Sequence, residues 1–313
     1  MIELKQKISQ QYKKHLSGYT EWEQLDHAQD WILFEANIGS HICIDESALS
    51  QGELYTIITN ASAACQKGSL IAMVKGTKSE DVIRVLEKIP LKERERVKQV
   101  TVDLARNMEK IGRISFPKCT IISDRFHVQQ LPSEALQEMR ITYRWEAIKE
   151  ENEAIKKAKE TGEKYTPEIF ENGDTKKQLL ARSRYLLFKP KSKWTDSQKA
   201  RSEILFNYYP KLYKAYLLTM MFRNIYQTAY SPQNALERLE LWYQKIEQYG
   251  YDSFITAAHS IQSHQETILA FFIHRKTNAL AESFNSKIKA FRSVFRGVSD
   301  ISFFLFRVSL IFA

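Results

Sequence analysis

The chain has 313 residues, 43% hydrophobic and 27% charged, with 10 Gly, 7 Pro and 3 Cys. That composition is globular and excludes a disordered, collagen-like or disulfide-stapled chain. Its 46 Lys and Arg exceed 37 Asp and Glu, a formal net charge of +9. This points to a polyanionic partner, nucleic acid before an acidic membrane surface, or else to a plain solvated basic surface.

Residues 1–36 read as a polar helical lead-in with Trp22, Trp31 and Ile32 as anchors. The opening MIELKQKISQQYKKH has no apolar core, so it is not a signal peptide. A first core segment spans 37–128. His41–Asp45, Glu53–Thr59 and Ser69–Val74 are rich in Ile, Val and Tyr and separated by turn residues, which predicts three meandering strands. Ser79–Ile89 has helical spacing at Val82, Ile83, Leu86 and Ile89, with Ser79 as its N-cap. A strand at Val97–Leu104, a helix near 106–115 and a strand at Cys119–Ser123 come next. The order βββαβαβ predicts an α/β fold with a mixed sheet.

Residues 129–270 read as an all-helical insertion, laced with Glu and Lys at helical spacing. Residues 271–313 close the chain with helices near 277–296 and 299–312. The last segment, ISFFLFRVSLIFA, is too short to span a bilayer and Arg307 interrupts it, so no membrane association is expected. Cys43, Cys65 and Cys119 are far apart, which argues against a zinc motif and for a reduced, cytoplasmic setting. There is no phosphate-binding G-x-x-x-x-G-K-[ST] and no G-x-S-x-G, so neither ATP use nor a serine nucleophile is indicated.

Three acids interrupt or end the apolar strands: Asp45, Asp103 and Asp124. A buried carboxylate resists ionisation unless it has a partner, and a divalent metal is one such partner. Parallel strands carry such residues to the end of a sheet where open α/β folds place their sites. The alternative is that each Asp simply caps the next helix. Asp124 and His127 form a D-x-x-H in which the acid can orient the imidazole; a structural His is the other reading.

On the helix TNALAESFNSKIKAFRSVFRG, Glu282, Asn285, Lys289, Arg292 and Arg296 share one stripe at about 100° per residue. Phe284, Ile288, Phe291 and Phe295 form an adjacent stripe that can bury. One acid succeeded by cations suits a metal with flanking phosphates, though an ordinary amphipathic helix has the same pattern. Lys287 adds to this basic end. A second basic run lies between Lys176 and Arg201. It includes Lys189, Lys191, Lys193 and Trp194, and reads as a backbone grip with an aromatic for stacking, or as a solvated face.

Taken together, IDES, VTVDLA, ISDRFHVQ with ALQEMR, and TNALAESFNSKIKAFRSVFRG resemble the DDE transposases of bacterial insertion sequences, closest to the ISL-three group. The resemblance runs from about residue 30 to the end. It implies an RNase H-like core interrupted by the helical insertion, with Asp45, Asp103 and Glu282 as the catalytic, metal-binding triad and Asp124 and His127 as a supporting motif. It also implies two Mg ions roughly 3.5–4 Å apart, with Mn able to substitute. The expected reaction is phosphodiester hydrolysis at element ends, then strand transfer into target DNA. The expected partners are double-stranded DNA and a second copy of the chain in a synaptic dimer. Relatives begin with a zinc-binding and helix-turn-helix region, and none precedes residue 40 here. The expectation is therefore a short variant whose end recognition comes from a separate polypeptide or from the insertion. A cutting but non-joining nuclease, or a non-catalytic DNA-binding derivative, are the alternatives.

Overall fold

The alternating apolar runs form a six-stranded sheet. Its strands are β1 (Trp31–Leu33), β2 (His41–Ala48), β3 (Leu54–Asn60), β4 (Leu70–Lys75), β5 (Gln99–Val102) and β6 (Thr120–Ser123), in the order β1-β4-β3-β2-β5-β6. The structure is a computed structural model and describes residues 18–49, 53–275, 279–294 and 300–313. Pairing is antiparallel from β1 through β4 and β3 to β2. It is parallel between β2 and β5 and between β5 and β6. The sheet is therefore mixed and the fold is α/β.

The helices are α1 (Ser79–Leu86), α2 (Leu91–Arg94), α3 (Arg106–Ser115), α4 (Arg125–Thr161), α5 (Lys176–Arg182), α6 (Arg184–Leu187), α7 (Asp196–Tyr208), α8 (Pro210–Thr228), α9 (Pro232–Tyr249), α10 (Asp252–Ser263), α11 (Gln265–His274), α12 (Ala279–Val294) and α13 (Ile301–Phe312). The chain divides into two compact units. One runs to His127 and resumes at Glu266–Ala313; the other is Val128–Gln265.

Strand alternation sorts the first unit into layers, because successive side chains leave opposite faces of a sheet. Ile42, Ile44, Val100, Val102 and Ile121 face α1 and α3, packing on Val82, Leu86, Met108, Ile111 and Phe116. Tyr55, Ile57 and Met73 face the other way, onto Phe284 and Ile288 of α12 and Phe304, Leu305 and Val308 of α13. The apolar C-terminal segment is thus core. Asp300 caps its helix, with Oδ1 accepting from the Phe303 N–H at 2.9 Å and Oδ2 from the Tyr19 hydroxyl at 3.2 Å. Among the described residues no helix is long and apolar enough to cross a membrane.

Two expectations are corrected here. Trp31–Leu33 is not part of a helical lead-in: Ile32 is fully buried and the three residues pair with Val74, Met73 and Ala72. A three-residue edge strand is too short to carry its own periodicity, and pairing with β4 decides it. Ser79 is not the N-cap of α1 either. Lys78 holds that position in extended backbone, no side chain caps the helix, and Ser79 is its first turn.

The second unit is helical throughout its described length, apart from turns and loops. Trp242 of α9 is fully buried, donates to the Leu218 carbonyl at 2.9 Å and packs on Phe222. Asp174, also fully buried, accepts from Arg182 and from Arg201 Nε at 2.9 Å, so it pins α5 and α7 together.

Leu305 lies at the centre of the apolar layer that seats α12. Leu305→Ala should destabilise the first unit by about 2–5 kcal/mol through lost burial and a cavity. Thermal unfolding monitored by circular dichroism measures this.

Candidate active site

The ladder explains why three acids meet. Thr101 of β5 pairs with Cys43 of β2 on one side and Ile122 of β6 on the other. One pleat further on, Asp103 stands level with Asp45 and Asp124. The Asp124 N–H still bonds the Val102 carbonyl at 2.7 Å, which carries the β5–β6 ladder up to this row. Because Ile44 and Val102 turn toward α1 and α3, the acids beside them turn toward α12.

Helix α12 is fastened over this row. Ala281 packs on Cys43 and Ala61, where small side chains let the helix approach closely. Cys65 Sγ donates to the Leu280 carbonyl at 3.0 Å, and Lys287 Nζ donates to the Cys65 carbonyl at 3.2 Å. Arg292 bonds Glu53 at 3.1 Å and lies 5.0 Å from the Phe304 ring. Asn285 Nδ2 donates to Asp45 Oδ2 at 2.8 Å, while Asp45 Oδ1 accepts from the Glu46 N–H at 2.9 Å. Glu282 stands one turn before Asn285, half-buried.

Electrostatics tie the group together. Burial pushes the Asp45 carboxyl up to about 6, the Glu46 N–H and His127 oppose this, and Asp103 and Asp124 add to it. Burial also raises Glu282, with Asp124 adding and His127 opposing. The His127 imidazole is raised above its ordinary value, first by its hydrogen bond to Asp124 and then by the charges of Asp124, Asp45 and Asp103, against burial. Asp124 is 1% exposed, and its Oδ2 takes the His127 Nδ1–H at 3.1 Å and the His127 backbone N–H at 3.4 Å. It therefore caps α4 and orients the imidazole at once. Asp103 Oδ1 accepts from the Ala105 N–H at 2.9 Å, an Asx turn that fixes its carboxylate.

Among the described residues no group of three or more His, Cys, Asp or Glu is arranged to hold a metal ion. The chemistry of the set fits a hard divalent cation. The acidic donors are oxygens, burial opposes the charge of Asp45 and Glu282, and the buried Asn285 Oδ1 has no hydrogen-bond partner.

The structure also revises the basic surfaces. Asn285 and Arg292 are each only 6% exposed and bind Asp45 and Glu53, so neither lies on a DNA-facing row. They sit at the flank of the apolar stripe, where a polar partner on the sheet draws them in. Lys287 and Lys289 are exposed; Arg296 lies outside the described residues. In the second unit Lys189, Lys191 and Lys193 are exposed. Trp194 is buried and its indole donates to the Leu186 carbonyl at 2.8 Å, so it is no surface stacking platform. Neighbouring cations are partly neutralised, Lys176 by Glu150, Lys177 by Glu151 and Arg182 and Arg201 by Asp174. Sequence reading missed Glu53 and Cys65; an acid opening an apolar strand and a Cys in a turn give no signal of their distant partners.

A mixed sheet that gathers acids beyond its parallel strands, with a further acid on a covering helix, defines an α/β protein with an acidic site at one end of its sheet. The chain belongs to the ISL3-type DDE family, whose model, described as "Transposase", matches residues 42–308. It is 21% identical over 286 residues to the transposase for insertion sequence element IS1001 of Bordetella parapertussis. That match covers 90% of this chain and 62% of the relative, so the chain spans less than two thirds of that protein's length. No solved structure matches the chain.

The Asp45 shift predicts a pH-dependent penalty. A carboxyl raised from 3.8 to about 6 keeps its proton in the folded state between those values. The folded state therefore loses stability as pH rises through that window, by about 3 kcal/mol in full above it. With chelator present, Asp45→Asn should raise the melting temperature at pH 7.5, and the gain should vanish near pH 4. Thermal melts across pH test this.

Proposed function

We propose that this chain is a DNA transposase with an RNase H-like core, formed by residues 37–128 and 271–313 and interrupted by a helical insertion at 129–270. It would hydrolyse phosphodiesters at element ends and join the freed strands to target DNA. The observation that carries the reading is the row of Asp45, Asp103 and Asp124 facing the helix that bears Glu282. Family membership supplies the context of DNA as substrate.

Asp45, Asp103 and Glu282 are assigned as the residues that hold divalent metal, two Mg ions or Mn in their place. When bound, the metal supplies a nucleophile at neutral pH and charge stabilisation for the leaving oxygen. The remaining work belongs to the chain. The Asn285 amide donates to Asp45 Oδ2 and favours the ionised carboxylate that burial opposes. Asp124 holds His127 through Nδ1, so the imidazole is oriented beside the crowded acids, whose charges raise its affinity for a proton. Lys287 and Lys289, exposed on α12, suit the phosphates on either side of the reacting one. Double-stranded DNA, a second copy of the chain for synapsis and a separate end-recognition polypeptide are the partners that this reading calls for.

Asp103→Asn should lower both cleavage and joining by about a thousandfold or more, because several kcal/mol of transition-state stabilisation depend on the metal. DNA binding should stay intact. An assay with labelled DNA flanking the gene, in Mg or Mn, reads cut and joined products separately. Undiminished joining in that variant would overturn the assignment, and cutting without joining by the parent would reduce the protein to a nuclease.

Asn285→Ala should cost about ten- to a hundredfold in the same assay, the usual size for a residue that orients a metal ligand. Partial rescue at higher pH is the signature that separates positioning from misfolding, since the lost donor leaves Asp45 harder to ionise.

A further inference from the structure

The second unit holds a cleft of about 600 Å³ that the acidic site does not use. One wall is a single face of α7, where Lys199, Glu203, Phe206 and Asn207 succeed one another at helical spacing. The facing wall is Lys191, on the short turn before Trp194, and Tyr213 on α8. The volume is within the range of sites that take small organic ligands, about 300–1,000 Å³.

The cleft has an aromatic floor. Phe206 and Tyr213 are half-buried, with ring centroids 4.8 Å apart. Behind them Tyr216 is 5.5 Å from Phe206 and 5.4 Å from Trp194. The two rear rings are locked from outside the cleft, because the Tyr216 hydroxyl donates to the Lys189 carbonyl at 2.9 Å and the Trp194 indole to Leu186. So the front rings rest on a rigid backing. Glu203 and Asn207, both exposed, add an acceptor and an amide beside them.

Cations stand at the rim. Lys191 Nζ lies 4.8 Å from the Tyr213 ring centre and 3.2 Å from its hydroxyl. Lys189 and Lys193 are exposed beside it. Lys199 is paired with the fully exposed Asp196, a weak surface contact that phosphate can displace.

We propose that this cleft receives one unpaired base of a DNA strand. The planar base would lie against Phe206 and Tyr213, and its edge would meet Glu203 and Asn207. Lys191 and Lys199 would hold the adjoining phosphates. Rings with flanking cations are what unpaired strands bind. A carboxylate and an amide read bases that carry an exocyclic amine, so cytosine, adenine and guanine are preferred over thymine. Intact duplex is excluded, because its bases are stacked. The proposal rests on the reading of DNA as substrate and adds a second, non-catalytic contact to it.

The test is a 12-nucleotide single strand carrying one central 2-aminopurine, titrated with the full chain and read by fluorescence. Quenching on binding is expected, and the matched duplex should give none. Phe206→Ala should weaken binding about ten- to a hundredfold, the usual size for one stacked base. Because Phe206 is half-buried, surface variants complete the test. Lys191→Ala should lower the slope of log affinity on log salt by about 0.7. Glu203→Gln and Asn207→Ala should erase the preference for cytosine or adenine competitors over thymine. Equal quenching by duplex, or wild-type binding by all these variants, overturns the proposal. Asp103→Asn separates it from the transposase reading. If that variant loses joining while the cleft variants bind normally, the cleft assignment alone fails. If it keeps joining while the cleft variants lose the base, the cleft stands and the catalytic assignment falls.

Discussion

Three carboxylates one pleat beyond the paired part of β2, β5 and β6 repel one another, and burial strengthens that repulsion. The first unit is arranged around holding them there. The parallel register makes them level, since Cys43, Thr101 and Ile122 already stand in one row behind them. The antiparallel partner β3 continues past that row to pair with β2 as far as Ala48. Asp45 is therefore held on one side by a ladder and open on the other.

Helix α12 turns this crowding into a defined geometry. Its small Ala281 permits close approach, its Asn285 answers Asp45, and its Arg292 answers Glu53. A buried arginine paired with a carboxylate is poor stabilisation by itself, but it is specific, because misplacement would leave a charge in the apolar layer. The α13 helix supplies the stabilising burial beneath. Stability and precision thus come from different residues of the same layer.

Much of this is legible in the sequence. Short β-rich runs and helical spacing predict the sheet elements, and an acid interrupting an apolar strand marks Asp45 and Asp103. What is not legible depends on distant partners. The β1 strand exists because β4 offers it an edge. Arg292 reads as a free cation until Glu53, 239 residues away, is placed beside it. Trp194 follows a run of lysines in the chain and looks like a surface aromatic, yet it is buried, with Phe206 of α7 and Tyr216 of α8 against it. A helical wheel ranks faces by apolarity, so it misassigns a polar residue whose partner lies on the sheet.

The bond between Asn285 and Asp45 joins residues 240 positions apart. A ribosome must therefore add the whole of the second unit after β2 has emerged before the first acid meets its amide. Nascent chains and products of premature termination carry the sheet with Asp45, Asp103 and Asp124, but not the helix that completes the row. The order of synthesis is itself a safeguard, because the acidic centre is assembled only after the helical unit that separates its two halves in the chain has been made.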